Sequence, residues 1–305
     1  MPMAPGSLRQ ELPVLCIQVL CIQADGATGI TWSPLTNPLG TTPALNAVNY
    51  DTTRGEYISV GSSGAIIAMT PSTSTTWAPQ TSGTSNALFA VANSGANYTT
   101  VAVGAFGTII YTADGGATSW HAAVVPAGIT TQQLNGITYG YSTTLGQNIF
   151  VTVGTSGTLL YSQDYGVNWL SGNCTGCTAE LKGVTYGGLD ASGYGIFVAV
   201  GASGTVLTSE NGVDWTPQLA TTISPSSKLN AVTYSVGRRF VAVAEDGNIY
   251  YSEYYTSGTT VGNGAVTWSQ VTPAPVATHP LYAITNGGLY DFSAVGASGT
   301  NQYAD

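Results

Sequence analysis

Short apolar runs of period two recur along the whole chain. The clearest copy, residues 197–215, reads as an alternating run, a Gly-containing turn, a second alternating run, an acidic turn and a Trp. Related copies begin at Tyr57, Thr100, Phe150, Phe240 and Phe292, and each follows a further apolar run starting at Leu45, Leu88, Leu134, Leu181, Leu229 or Leu281. Trp77, Trp120, Trp169, Trp215 and Trp268 close the first five copies, at intervals of 43, 49, 46 and 53 residues. Alternating β-branched and aromatic residues bounded by Gly-rich turns predict strands. Turn pairs such as Ser156-Gly157 and Ser203-Gly204 supply the positive φ of a two-residue hairpin. No stretch shows a capped 3.6-residue period, so helices are not predicted.

Four strands repeated every ~40–50 residues predict a β-propeller. The expected fold is all-β: a six-bladed β-propeller of four-stranded blades over residues 19–305, preceded by an extension, residues 1–18. Six first strands are followed by only five Trp-bearing fourth strands. Trp32 supplies the sixth, so the ring is expected to close by pairing of the N-terminal strand with the C-terminal blade. Residues 19–23 and 300–305 both fit as the third strand of that blade. The pentapeptide VLCIQ occurs twice in tandem, at 14–18 and 19–23. The extra copy reads as a signal remnant, a capping strand or a strand that joins copies into a homo-oligomer or filament.

Composition narrows the classes of partner. Charged residues make up 7%, against roughly 25% in an average soluble protein. Solubility then rests on Ser, Thr, Asn, Gln and Tyr, which suggests an extracellular protein, secreted or on a cell surface. Six Lys+Arg and a net charge of −9 argue against nucleic acid, whose phosphates require a basic stripe. No apolar run nears the ~20 residues of a membrane-spanning helix, so membrane insertion is not expected.

Residues 162–169, SQDYGVNW, resemble the Asp-box S-x-D-x-G-x-T-W of bacterial neuraminidase repeats. Residues 112–120 fit with one insertion, and residues 208–215 fit with Glu in place of Asp. The resemblance implies fold roles for Asp114, Trp120, Asp164, Trp169, Glu210 and Trp215, with the acid holding the turn and Trp packed between blades. It extends to sialidases, xyloglucanases and photosystem II assembly factors. Sialidase chemistry needs an arginine cluster, yet the arginines are Arg9, Arg54, Arg238 and Arg239. A glycosidase needs two opposed carboxylates, and Glu245-Asp246 reads as a solvated turn. His121 and His279 lack partners at metal-ligand spacing. No enzyme activity, cofactor or metal is expected. Cys174 and Cys177 sit in a Ser/Gly/Thr loop that suits a local disulfide, a redox site or zinc site being the alternatives.

Three functional readings follow. The first is a non-catalytic adhesive or structural scaffold recognising protein or its own copies, and the second is a glycan-binding lectin. The third is an assembly chaperone resembling the photosystem II factors, for which a basic partner-binding face would be expected. In all three, the second residue of each first strand is expected at one channel mouth: Asn46, Phe89, Asn135, Lys182, Asn230 and Tyr282. Phe89, Lys182 and Tyr282 are the distinctive ligand contacts. For the Asn residues the alternative is bonding to a neighbouring strand's backbone.

Overall fold

The computed structural model describes residues 20–25, 29–34, 43–72, 76–95, 99–112, 119–187, 193–218, 222–235, 239–252, 267–271, 279–286, 292–299 and 301–304. Among these residues there are strands and single 3-10 turns and no α-helix. Six antiparallel sheets follow one another along the chain, each a meander in sequence order. Their inner strands are Leu45–Asp51, Leu88–Asn93, Leu134–Ser142, Leu181–Gly187, Leu229–Ser235 and Leu281–Asn286. Sheets one to five have four strands and sheet six has three. The blades of a propeller are thus in place.

The repeated turn between second and third strands has a backbone cause. Ser156 and Gly157 both lie in the left-handed region, at φ 55° and 69°, as a type I′ hairpin requires. Gly157 carries a second constraint. A Cβ there would sit 2.0 Å from the Cys177 carbonyl oxygen, because the linker to sheet four crosses directly over the turn. Sheet five solves the corner differently: Gly247 N–H donates to Ala244 O at 3.1 Å, and in that turn only Gly247 has positive φ.

The core is divided among the interfaces between sheets. Trp120 is buried with Val60 and Ile66 of sheet one and Leu88 and Val91 of sheet two. Trp169 occupies the same place between sheets two and three, Trp215 between three and four, and Trp268 between four and five. Each Trp therefore seals its own sheet against the preceding one. The inner strands of consecutive sheets also pack side by side, from sheet one through sheet six. They converge where side chains are small: a Cβ on Gly183 would lie 3.2 Å from the Ala231 Cα.

The ends of this row behave differently. The strand carrying Trp32, Gly29–Pro34, pairs with Leu20–Asp25 as a separate hairpin. The expected pairing of that strand with sheet six is not among the pairings of the described residues. Third and fourth strands did form at the N-terminus, but on each other. Inner strands one and six do not pack together as the other neighbours do. Residues 1–18, and with them the first VLCIQ copy, lie outside the described residues.

Candidate functional site at the inner strands

Every inner strand carries the same irregularity at the same place. Register shifts occur between Leu45 and Ala47, Leu88 and Ala90, Leu134 and Gly136, Leu181 and Gly183, Leu229 and Ala231, and Leu281 and Ala283. The extra residue in each bulge is Asn46, Phe89, Asn135, Lys182, Asn230 or Tyr282. A bulge frees one residue from the ladder and re-aims its side chain. These are the six positions that sequence spacing assigned to one mouth, and one backbone device presents them all.

Their side chains divide into staples and free groups. Asn46 Nδ2 donates to Leu88 O at 2.8 Å, Asn135 Nδ2 to Leu181 O at 2.8 Å, and Asn230 Nδ2 to Leu281 O at 2.7 Å. Each acceptor is the first residue of the next inner strand, so these amides tie sheet to sheet. Lys182 Nζ donates to Asn230 Oδ1 at 3.0 Å, which extends the tie and leaves the ammonium with donors to spare. Gln133 Nε2 donates to Asn135 Oδ1 at 2.7 Å, and Asn135 Nδ2 lies 3.4 Å from Glu180 Oε1. Phe89 is half-buried and Tyr282 is exposed. The amides thus tie neighbouring inner strands and orient one cation, with Phe89 and Tyr282 at the equivalent positions of sheets two and six.

The corners whose sequence resembles the Asp-box lie at the other end of the strands. Ser162 is paired with Phe150, which pairs with Tyr139 near the far end of inner strand three. Asp164 Oδ1 accepts from Ser162 Oγ and from Asn168 N–H, each at 2.9 Å, and Oδ2 accepts from Asn168 Nδ2 at 2.7 Å. Partial burial pushes the Asp164 carboxyl up, but these hydrogen bonds outweigh it and hold the group below the usual carboxylate range. Trp169 Nε1 donates to Gly166 O at 2.9 Å.

The corresponding corner of sheet four corrects one assignment. There Asn211, not Glu210, takes the Asp164 role: its Oδ1 accepts from Ser209 Oγ at 3.0 Å and from Val213 and Asp214 N–H at 2.9 and 2.8 Å. The turn is one residue shorter, so counting back from Trp215 lands on the wrong residue. Glu210 is exposed, and its backbone carbonyl accepts from Thr143 Oγ1 at 3.1 Å. Register from Phe197↔Ser209 would have found Asn211. Asp114 lies outside the described residues, while Trp120 Nε1 donates to Gln80 Oε1 at 2.8 Å across to sheet one.

Other acids and one cysteine pair among the described residues serve local tasks. Asp51 Oδ1 accepts Thr53 and Arg54 N–H at 2.9 and 3.2 Å. Asp246 accepts from Ser227 Oγ at 2.7 Å and Asn248 N–H at 3.1 Å, and Glu245 pairs with Lys228 at 3.1 Å on the surface. Hydrogen bonds from Asn173 and Asn211 hold the Asp214 carboxyl below its usual range. Cys174 and Cys177 are joined by a disulfide within one loop. Among the described residues no three His, Cys, Asp or Glu side chains group as metal ligands.

Residues 22–207, more than half of the chain, match the sequence family described as Photosynthesis system II assembly factor YCF48. A solved structure of YCF48 bound to D1 peptide is similar at 16% identity and a TM-score of 0.63, over 90% of this chain and 82% of that one. YCF48 from Cyanidioschyzon merolae matches at 18% identity and a TM-score of 0.48, over 87% of this chain and 96% of that one. No curated protein matches. The repeat, the sheet order and the family match together place the chain: it belongs to the YCF48 family of photosynthesis system II assembly factors.

Proposed function

We propose that this protein is a non-catalytic assembly factor that binds an extended polypeptide at the bulge residues of its inner strands. The observation that carries the proposal is the family match over residues 22–207. It favours the assembly-factor reading over the adhesive scaffold and the lectin. That a YCF48 structure holds a D1 peptide supports polypeptide as the ligand class.

The site suits such a ligand in three respects. Phe89 and Tyr282 offer ring faces to apolar side chains. Lys182 offers a cation already oriented by Asn230, able to receive a carboxylate or main-chain carbonyl. The three Asn staples fix the framework, so little ordering is left to be done on binding. With only six Lys+Arg in the chain, the partner is a neutral or basic polypeptide rather than a strongly acidic one.

The test scans purified protein against arrays of overlapping peptides and, in parallel, against glycans. Peptides should be retained, and Phe89→Ala and Lys182→Ala should each weaken binding about tenfold, or about 1.4 kcal/mol. Retention of glycans with no peptide retained would reverse the assignment.

A further inference from the structure

One repeated turn departs from its counterparts. The residue before the turn glycine is Ser63, Ser156, Ser203 and Ser298 in sheets one, three, four and six, but Phe106 in sheet two. All five lie in the left-handed region, at φ 55–57°. A bulky side chain is rare there, because its Cβ crowds the backbone. Burial does not offset this, since Phe106 is 66% exposed.

The segments on either side, residues 84–88 and 129–134, hold the turn without covering it. Ala105 N–H donates to Ala87 O at 2.8 Å, and Gly107 N–H to Gln132 O at 2.6 Å. Asn86 Nδ2 donates to Thr108 Oγ1 at 2.8 Å. The linkers that enter and leave sheet two thus fix the backbone from which Phe106 is presented. A bulky side chain held in a strained, exposed conformation, where four equivalent turns use Ser, points to a use outside the fold.

Its place on the sheet indicates that use. Leu88 pairs with Gly104, so Phe89 and Phe106 stand at the same end of sheet two. Phe89 lies on the inner strand, and Phe106 on the turn from second to third strand. With neighbouring strands ~4.8 Å apart, that turn lies about 5–10 Å outward from the inner strand. An extended chain advances about 7 Å over two residues and turns both side chains to one face. The pair therefore matches alternate residues of an extended polypeptide.

We infer that Phe106 is a second apolar anchor for a bound polypeptide, which leaves the channel mouth across sheet two. The bound segment is extended and carries apolar side chains at positions i and i+2, one against Phe89 and one against Phe106. Sheet two sets the direction because no other sheet has an aromatic residue at both places: Tyr282 of sheet six is matched by Ser298, and sheet five has Asn230 with Glu245-Asp246. The inference rests on the polypeptide-binding reading and adds to it a direction and a sequence requirement.

The probe is an array of immobilised octapeptides in a Ser/Gly host, each carrying two Leu separated by zero to four residues. Retention should peak at one intervening residue. The best-retained peptide, labelled with fluorescein, is then titrated by anisotropy. Phe106→Ser, which installs the residue of the other turns, should weaken binding about tenfold and leave the thermal unfolding midpoint unchanged or higher. Phe106→Asn should weaken binding likewise and raise the midpoint, because Asn tolerates positive φ. A lower midpoint in both variants would make Phe106 a packing residue and overturn the inference. Binding sensitive to Phe89→Ala and Lys182→Ala but not to Phe106→Ser would overturn it and leave the channel-mouth reading intact. So would retention on the overlapping-peptide array with no preferred Leu spacing on this one. If neither array retains a peptide, both readings fail.

Discussion

Asp164 shows what a single carboxylate contributes here. It accepts three hydrogen bonds at one hairpin corner and touches no other sheet through them. Replacing it by Ala should cost about 1–2 kcal/mol, read as a lower midpoint in urea unfolding. The sign of its pH dependence follows from its lowered pKa. The unfolded chain binds the proton more readily, so the contribution is full above the ordinary Asp value of about 4 and is lost as pH falls through the lower folded value. Asp164→Asn should flatten the acid limb of stability below about pH 4; an unchanged limb would contradict this role. Gly157 makes the stronger demand. Gly157→Ala places a Cβ 2.0 Å from a backbone oxygen at φ 69°, and thermal unfolding should reveal a loss of about 2 kcal/mol or more. The turn glycines were legible in the sequence because their spacing repeats. Asn211 was not, because one deleted residue moves the capping role without disturbing Gly212 or Trp215.

At the level of elements, the strands were legible and the bulges were not. Alternation names which residues share a face, but it is blind to one extra residue. The bulge arises where inner strands meet near the axis and only small residues fit, as Gly136 against Lys182 and Gly183 shows. The choice of Asn46, Asn135 and Asn230 as staples was within reach of sequence reasoning, since Asn readily bonds backbone. Asn230 both holds Lys182 and ties sheet five to sheet six. Asn230→Ala should cost about 1–3 kcal/mol, leaving Leu281 O without its donor, and should weaken peptide binding with it; Asn46→Ala should cost stability alone. Truncation of an interface Trp is costlier. Trp215→Ala empties the space between sheets three and four and should destabilise by about 3–5 kcal/mol, measured by chemical denaturation. A loss below about 1 kcal/mol would mean the sheets do not depend on this seal.

For the whole molecule, repetition made the architecture legible and left its closure open to tertiary packing. Six first strands give six sheets, and four Trp residues placed between sheets fix their order. Which strands complete the last interface is not set by the repeat, because VLCIQ is duplicated and two segments, residues 19–23 and 300–305, suit one place. The structure pairs the Trp32 strand with Leu20–Asp25 and leaves Val48 and Val295 exposed. Function was less legible than fold. A corner that resembles a motif of sialidases and assembly factors alike carries no ligand information, and the low charge that suggested an extracellular protein is equally a trait of a surface meeting neutral polypeptide.

Hydrogen–deuterium exchange of the full chain, with and without a peptide retained on the array, tests the polypeptide-binding claim most directly. Added protection is predicted at the start of the inner strands, around Phe89, Lys182 and Tyr282, with no change at the hairpin corners near Asp164 and Asn211. Protection confined to those corners, or none anywhere at saturating peptide, would contradict it.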